Sequence, residues 1–336
     1  MPIGWIEAVP NRATTTRVRR AVKPGRPALR VPVLILSVII DPEHRRICDL
    51  LPQAGLQREP ETETDRLLEI ERWHLKVGPK LSFEVATAFI NGMGNARSAM
   101  ETLLFLERIS PKFIFLCGIA GSLCPDRIRL GDVVVARQIN WWNLNKLTRE
   151  AAKVEEEGPA KYLSLGDHFF RKDIRAEGKQ DKFWDRRLAR FVDDHQDLLR
   201  SNIDRRLLAL RSELQADEPY SNRLHCGDIV SWEYVLSDSE VRDAIFHDPY
   251  GGKAIEMEGA GFAAAVARRN EEVTRRARAA RQVIESDTVG FVFRGITDLC
   301  HDKGSEPQEW REVAMFNAAQ AVIDFLKRLS PDDFRR

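Results

Sequence analysis

The sequence predicts an α/β fold with a central sheet and helices on its faces. Mostly apolar runs recur at Val33–Ile40, Lys112–Cys117 and Val289–Phe293, as is typical of strands buried on both faces. A segment with apolar residues at helical spacing, Ala96–Ile109, lies between the first two. Glycines or acids stand where the apolar runs end, and that edge of an α/β sheet is where ligands collect.

The composition predicts a globular protein that binds a small molecule. The chain has 336 residues, 43% of them hydrophobic, enough for one large core or two ordinary ones. Lys and Arg number 52 against 51 Asp and Glu, so the net charge of +1 provides no overall field to attract nucleic acid or an anionic membrane. The longest apolar run, Val31–Ile40, is far short of the roughly 20 residues of a membrane helix.

The five cysteines predict reduced thiols in a cytoplasmic protein. They are scattered and lack any CxxC spacing, so we expect neither a metal site nor a cofactor. Ahead of the first strand, residues 1–30 hold seven Lys or Arg against the single acid Glu7. We expect a disordered basic tail there, or a start codon placed too early, since neither a clear amphipathic face nor a secretory apolar region is present.

The first half of the domain alternates strands with turns. Asp41-Pro42-Glu43 is expected to begin a helix directly after the first strand, which puts Glu43 at the carboxyl edge of the sheet. Trp73–Val77 and Ser82–Ile90 form a predicted hairpin. The glycines of Asn91–Gly94, before the helix at Ala96, let a backbone approach an anion or a sugar, although a plain tight turn has the same pattern.

A charged, mostly helical insert is expected at about 141–222, within an α/β domain spanning 31–330. Its charges are typical of a solvated face. Its apolar positions follow helical spacing: Phe183, Leu188, Phe191, Leu198, Ile203, Leu207 and Leu210.

The second half carries acids at buried junctions. Lys253–Glu258 is a short predicted strand in which Glu256 and Glu258 flank Met257, just before a small-residue helix. Acids at such a junction are costly unless they bind something. Asp298 follows the apolar run from Val289 and has the position of a general acid, although helix caps and turns use aspartate in the same way.

Four fragments in this order resemble the purine nucleoside phosphorylase and nucleosidase superfamily, in particular methylthioadenosine/S-adenosylhomocysteine nucleosidases. They are Gly118–Gly121, Gly131–Val135, Ile255–Gly259 and Arg294–Asp298. The resemblance covers about 31–140 and 223–330. It implies a three-layer fold, with a central mixed, twisted sheet flanked by helices, and a homo-oligomer, most simply a dimer.

The resemblance also implies a role for each matching residue. Asp298, preceded by Thr297, matches the acid that protonates N7 of the leaving purine. Glu258 matches the glutamate that holds the ribose hydroxyls, and Glu43 the one that positions the nucleophilic water. The remaining matches are Glu256 near that water, Met257 against the sugar, Ile229 and Val230 beside the base, and Ala120 and Gly121 in the glycine-rich loop.

The chemistry agrees with this set. Cleavage of an N-glycosidic bond needs an acid on the base side and a water activator on the sugar side. For Asp298 to donate a proton near neutral pH its pKa must be raised, and we expect burial behind Phe291 and Phe293 to raise it. We favour hydrolysis of a purine nucleoside or nucleotide, preferably of the adenine type.

Two alternatives stay open. A phosphorylase needs cations for phosphate; Cys117 stands where such relatives have an arginine, while His44, Arg45, Arg46 and Arg97 are the remaining candidates. A non-catalytic nucleoside sensor is the other alternative, which the acids Glu43 and Asp298 at both ends of the bond disfavour. Arg294 and Lys303 either solvate the loop at Asp298 or reach a phosphate on the sugar.

Overall fold

The computed structural model describes residues 31–79, 81–142, 179–195, 222–248, 251–281, 287–301 and 309–335. The basic tail, Lys303 and most of the predicted insert lie outside these residues. The strands are β1 Val33–Ser37, β2 Gln57–Arg58, β3 Glu71–Val77, β4 Leu81–Phe89, β5 Phe113–Ser122, β6 Val133–Trp142, β7 Leu224–Trp232, β8 Ala254–Glu256 and β9 Val289–Asp298. The helices are α1 Arg45–Gln53, α2 Glu63–Leu68, α3 Asn95–Ile109, α4 Lys179–Asp194, α5 Ser239–His247, α6 Gly259–Ala280, α7 Glu309–Leu326 and α8 Pro331–Arg335.

All nine described strands belong to one mixed sheet in the order β2-β3-β4-β1-β5-β8-β7-β6-β9. Strand β9 also runs parallel to β5, so the last five strands of that order close into a barrel-like ring. β1, β5 and β9 share a direction, and their carboxyl ends therefore meet at one edge. The predicted α/β class with a central mixed sheet and flanking helices is confirmed.

Apolar residues cover both faces of the sheet, as the near-continuous apolar strands predict. Along β1, Val33 and Ile35 join one buried cluster, while Leu34 and Leu36 join the other. Phe291 of β9 packs on Phe115 and Phe325, with ring centroids 5.1 and 5.2 Å away. Truncating a buried aromatic of this kind costs about 3–5 kcal/mol.

The described part of the insert belongs to this core and not to a separate solvated lobe. Trp184 of α4 is buried, and its ring meets Phe113 and Phe291 edge-on at 5.2 and 5.7 Å. Leu188 and Phe191 are buried in the same cluster. The predicted helical positions from Leu198 onward lie outside the described residues.

One predicted boundary is wrong. Strand β1 ends at Ser37, and a short helical turn, Ile40–His44, separates it from α1, which begins only at Arg45. Strand β9 continues past its apolar run through Arg294 and ends at Asp298, the residue expected at the end of the strand. The arginine remains within the strand because buried acids neutralise it there. Among the described residues, no helix is long and apolar enough to cross a membrane.

Candidate active site

Arg294 lies at the centre of a cluster of buried acids at the carboxyl edge of the sheet. Its side chain is fully buried. Its Nη2 forms a hydrogen-bonded ion pair with Glu256 and lies 3.3 Å from Oε2 of Glu258. Gly118 is its register partner on β5; a Cβ there would lie 2.2 Å from Nη1 of Arg294 and 3.4 Å from Oε2 of Glu43. One guanidinium thus faces three carboxylates.

Charge neutralisation explains how this arginine can be buried. Burial alone would lower the pKa of Arg294, but Glu256, Glu258 and Glu43 together raise it above its ordinary value. The Nε and Nη1 atoms are buried and have no hydrogen-bond partner in the described structure. Buried donors without a partner are rare and expensive, so a bound water or ligand is the natural acceptor for them.

Glu43 reaches this cluster from the turn after β1. Its Oε2 accepts a hydrogen bond of 2.8 Å from the backbone amide of Val38, and its side chain is 3% exposed. Burial raises the pKa of Glu43, while the charge of Arg294 and the amides of Val38 and Ile39 act in the opposite direction. The sheet edge therefore holds the predicted first-strand glutamate beside Arg294.

The two acids around Met257 have different partners. Glu256 accepts a hydrogen bond of 3.0 Å from the amide of Glu258. The amide of Gly259 lies 2.9 and 2.8 Å from its two carboxylate oxygens, so Glu256 binds the amides at the start of α6. Glu258 turns the other way and accepts the amide of Gly94 at 3.1 Å. Burial raises the pKa of Glu258 to about 7, with the charge of Arg294 opposing the rise and that of Glu256 adding to it.

The glycine turn before α3 approaches an anion, but the described anions are the protein's own. The Gly94 amide donates to Glu258, and the Asn95 amide lies 3.4 Å from Oε2 of Glu233. Arg97, the sequence candidate for phosphate, pairs with Glu101 one helical turn later, at 3.0 Å. This turn therefore fixes the carboxylate of Glu258.

Asp298 ends β9, where a hydroxyl and a backbone amide bind its carboxyl. Its Oδ1 accepts the Cys300 amide at 3.1 Å, and the Thr297 hydroxyl lies 3.0 Å from its Oδ2. Across the strand pair, a Cβ on Gly121 would lie 2.7 Å from Oδ1. Gly121 pairs with Asp298 on one side and with Ile255 of β8 on the other, so this carboxyl lies at the same edge as Glu256.

The expected shielding of Asp298 by Phe291 and Phe293 is wrong. Both phenylalanines pack into the aromatic core with Phe115 and Phe325, on strand positions well before Asp298. Asp298 is nevertheless only 7% exposed. Thr297, Cys300 and the backbone at Gly121 surround it in their place.

The other predicted substrate residues line the same edge. Ile229 and Val230 are fully buried and pair in register with Ala254 and Ile255 of β8. Met257 is half-buried. Ala120 is buried, and its carbonyl lies 3.4 Å from the Thr297 hydroxyl.

The first-loop cations named as phosphate candidates are engaged elsewhere. Arg45 pairs with Asp41 at 2.9 Å, Arg46 pairs with Glu312, and the ring of His44 packs on Phe89. Cys117 is fully buried, and burial raises the pKa of its thiol. The expectation that Arg294 either solvates a loop or reaches a sugar phosphate is wrong in its first half, because the guanidinium is buried among acids.

Arg294 is the residue whose importance the sequence reasoning missed. The Arg-Gly pair marks the end of the apolar run, and charged residues are seldom fully buried inside strands. The available signal was the sequence itself: an arginine within a buried run requires acids nearby, and Glu256 and Glu258 were already placed at a buried junction.

Comparisons with known proteins agree with this architecture. A curated relative from Amphimedon queenslandica, a death domain-containing ATP nucleosidase, is 22% identical over 235 residues, which are 69% of this chain and 37% of that protein. The chain thus spans little more than a third of the curated relative it matches.

Solved nucleosidases have a similar fold. The 5′-methylthioadenosine/S-adenosylhomocysteine nucleosidase of Helicobacter pylori superposes with a TM-score of 0.52 at 17% identity, covering 90% of this chain and all of that one. The corresponding enzyme of Campylobacter jejuni gives a TM-score of 0.50 at 16% identity, covering 89% of this chain and 100% of the other.

The family model described as the Phosphorylase superfamily matches residues 56–327. These residues contain the hairpin, the glycine-rich strand end, the strands that carry Glu256 and Asp298, and Glu258 just before α6. The chain belongs to the phosphorylase superfamily.

Proposed function

We propose that this protein hydrolyses the N-glycosidic bond of a purine nucleoside or nucleotide, with adenine-type bases preferred. The observation that carries the proposal is the cluster of Glu43, Glu256 and Glu258 around the single buried guanidinium of Arg294. Because carboxylates outnumber the guanidinium, this site favours a neutral nucleophile and stabilises the positive charge that develops on the sugar.

The charge balance supports water over phosphate as the nucleophile. Three carboxylates face the buried guanidinium of Arg294, and Arg311 adds a second positive charge near Glu43. With all three acids ionised the cluster is still negative, and an incoming phosphate anion would be repelled. Arg45, Arg46 and Arg97 already pair with acids. A water between Glu43 and the partnerless Nη1 of Arg294 would satisfy that donor and lie beside a carboxylate that can take its proton.

The proposed reaction divides between the two ends of the bond. Asp298 protonates N7 as the base leaves, and Thr297 and the Cys300 amide orient its carboxyl. Glu258 accepts hydrogen bonds from the ribose hydroxyls, and these bonds strengthen as positive charge develops on the sugar. Glu43 accepts a proton from the attacking water, so free base and free sugar are the products.

The names of the relatives support an adenine-type substrate. One is called an ATP nucleosidase and others methylthioadenosine/S-adenosylhomocysteine nucleosidases. We therefore place ATP, AMP, adenosine and methylthioadenosine first among substrates, ahead of inosine and guanosine.

Chromatography of reactions with each of these compounds, with and without phosphate, tests the proposal. We expect free adenine at the same rate in both conditions. Strict dependence on phosphate would establish a phosphorylase, and tight nucleoside binding without base release would establish a sensor; either result would overturn the proposal.

A further inference from the structure

A second cluster of chemically competent side chains lies behind the first-loop turn, away from Arg294. It consists of His44, at the end of the turn, Cys48 on α1, and Glu71 on β3. One nitrogen of the imidazole, the sulfur and one carboxylate oxygen all lie within 4.8 Å of one another. We infer that these three side chains bind a divalent cation of the zinc class.

The spacing of the donors fits such an ion. His44 and Cys48 are four residues apart and project from the same side of the turn and helix, which brings Nε2 to 3.5 Å from Sγ. Ligand atoms around a tetrahedral zinc ion, with bonds of about 2.0–2.3 Å, are about 3.3–3.8 Å apart. Only the carboxylate of Glu71 has to close in, and its side chain is 30% exposed.

The surroundings of the His44 imidazole fit the tautomer that a metal requires. The Ser37 hydroxyl lies 3.4 Å from the carbonyl of Ala88 and 3.3 Å from Nδ1 of His44. With its own proton directed to that carbonyl, the hydroxyl accepts the proton of Nδ1. The lone pair of Nε2 then faces Cys48. Orientation of a ligating histidine through its other nitrogen is the usual arrangement around protein-bound zinc.

The thiol has a similar support. The Trp73 indole donates to the Thr87 hydroxyl at 3.3 Å, which leaves that hydroxyl free to donate to the Cys48 sulfur 3.7 Å away. Neutral hydrogen-bonding groups therefore hold both the imidazole and the sulfur of this cluster.

The cluster has an open side. It borders a cleft of about 710 Å³ whose lining includes His44, Cys48, Glu71 and Trp73. Arg58 lies 3.3 Å from Glu71, but its side chain is 59% exposed and can turn outward when a cation enters. Three protein ligands with a fourth position open to water is a coordination that zinc accepts. Cysteine spacing in the sequence predicts no metal site. The proposed ligands come from a helical turn, the following helix and a distant strand, so no short motif contains them.

Cobalt titration of the reduced full-length protein tests the inference, since Co²⁺ replaces Zn²⁺ and reports thiolate ligation by a charge-transfer band in the near ultraviolet. We expect one equivalent of Co²⁺ to give this band, and Zn²⁺ to abolish it by displacement. Cys48→Ala should remove the band, whereas Cys226→Ala, the same change at another half-buried cysteine, should keep it.

Two further variants keep the test decisive if Cys48→Ala folds poorly. Glu71→Gln should weaken Zn²⁺ binding at least about tenfold, against no change for Glu84→Gln on the neighbouring strand, and Ser37→Ala should weaken it about 10- to 100-fold. Absence of the thiolate band in the wild type, or a band that survives Cys48→Ala, would overturn the inference. Equal Zn²⁺ affinity in Glu71→Gln and Glu84→Gln would overturn it too.

Discussion

The two ends of the candidate site differ in how they hold their carboxyl groups. At one end, which we call the charged end, Glu43, Glu256 and Glu258 surround the fully buried Arg294. At the other end, the carboxyl of Asp298 is bound by a hydroxyl and a backbone amide. Charges at the first end stabilise one another, so removing one affects folding as well as chemistry. At the second end an amide could replace the carboxyl and still accept the backbone amide, so we expect a smaller effect on the fold.

The largest effect is expected from removing the guanidinium. Arg294→Met should lower the free energy of unfolding by about 3–5 kcal/mol, because it leaves buried carboxylates without a counter-charge. Arg45→Met removes an arginine whose ion pair with Asp41 is exposed, so the free energy of unfolding should change by less than about 0.5 kcal/mol. Urea denaturation measures both. Equal stabilities for the two variants would show that the charged end is not held by ion pairing.

Asp298→Asn should separate activity from stability. We expect release of adenine to fall about 10²- to 10⁴-fold, the usual contribution of a general acid. The amide oxygen can still accept the Cys300 amide, so the urea midpoint should move little. Asp324→Asn, which alters a carboxyl bonded to Gln320 on α7, is the matched control and should change neither quantity.

A substrate with an activated leaving group sharpens the same comparison. The nitrophenolate group of a nitrophenyl riboside leaves without being protonated. The Asp298→Asn variant should therefore hydrolyse this substrate nearly as fast as the wild type does. Glu43→Gln should remain slow with it, because the water still has to be activated. Equal losses on both substrates in Asp298→Asn would remove Asp298 from the role of acid.

The charged end also predicts a pH dependence of stability. The pKa of Glu258 is about 7 in the folded protein, above its ordinary value of 4.5, so folding favours its protonated form. The contribution of this protonation to the free energy of unfolding is complete below pH 4.5 and is lost as the pH rises through 7. That contribution is at most about 3 kcal/mol, since one pKa unit corresponds to about 1.4 kcal/mol.

Urea unfolding across this pH range measures the effect as a difference between proteins. The wild type should lose stability relative to Glu258→Gln as pH rises. Glu84→Gln, which alters a partly exposed acid on β4, should track the wild type throughout. A wild type that gained stability relative to Glu258→Gln over this range would contradict the predicted sign.

Two glycines of β5 allow a smaller, matched perturbation of each end. A methyl group on Gly118 meets Arg294, and one on Gly121 meets Asp298 and the Cys300 sulfur. Each alanine variant should cost about 1–3 kcal/mol of stability through overpacking. The nitrophenyl substrate should partly restore the hydrolysis rate of Gly121→Ala but not that of Gly118→Ala. If it restored both rates equally, the two ends of the site would not be separable.

The strand ends carried most of what the sequence could predict. Apolar runs followed by acids identified Glu43 and Asp298 as residues of one sheet edge, because carboxyl ends of parallel strands converge. Glu258 follows β8, which runs antiparallel to β5, and was assigned to the site by the family resemblance. Arg294 was missed as a central residue because its partners lie more than 35 positions away. Local patterns do not reveal which acids will neutralise a charge inside a strand.

Contacts between distant elements account for the other differences. The Gly94 amide was predicted to meet an anion, but that the anion is Glu258 depends on how α3 packs beside α6. The insert helix carried aromatic residues at helical spacing, yet its burial against Phe291 follows from the fold and not from the spacing. The predicted shielding of Asp298 by Phe291 and Phe293 was wrong because both rings pack on distant residues of the aromatic core.

Hydrolysis of adenosine or ATP in isotopically labelled water, with phosphate present, tests the central claim most directly. The charged end predicts free adenine and a pentose, or pentose phosphate ester, that carries the labelled oxygen at C1, at a rate independent of phosphate. Pentose 1-phosphate without the label would contradict it, because phosphate would then have entered a site whose buried charge should exclude it.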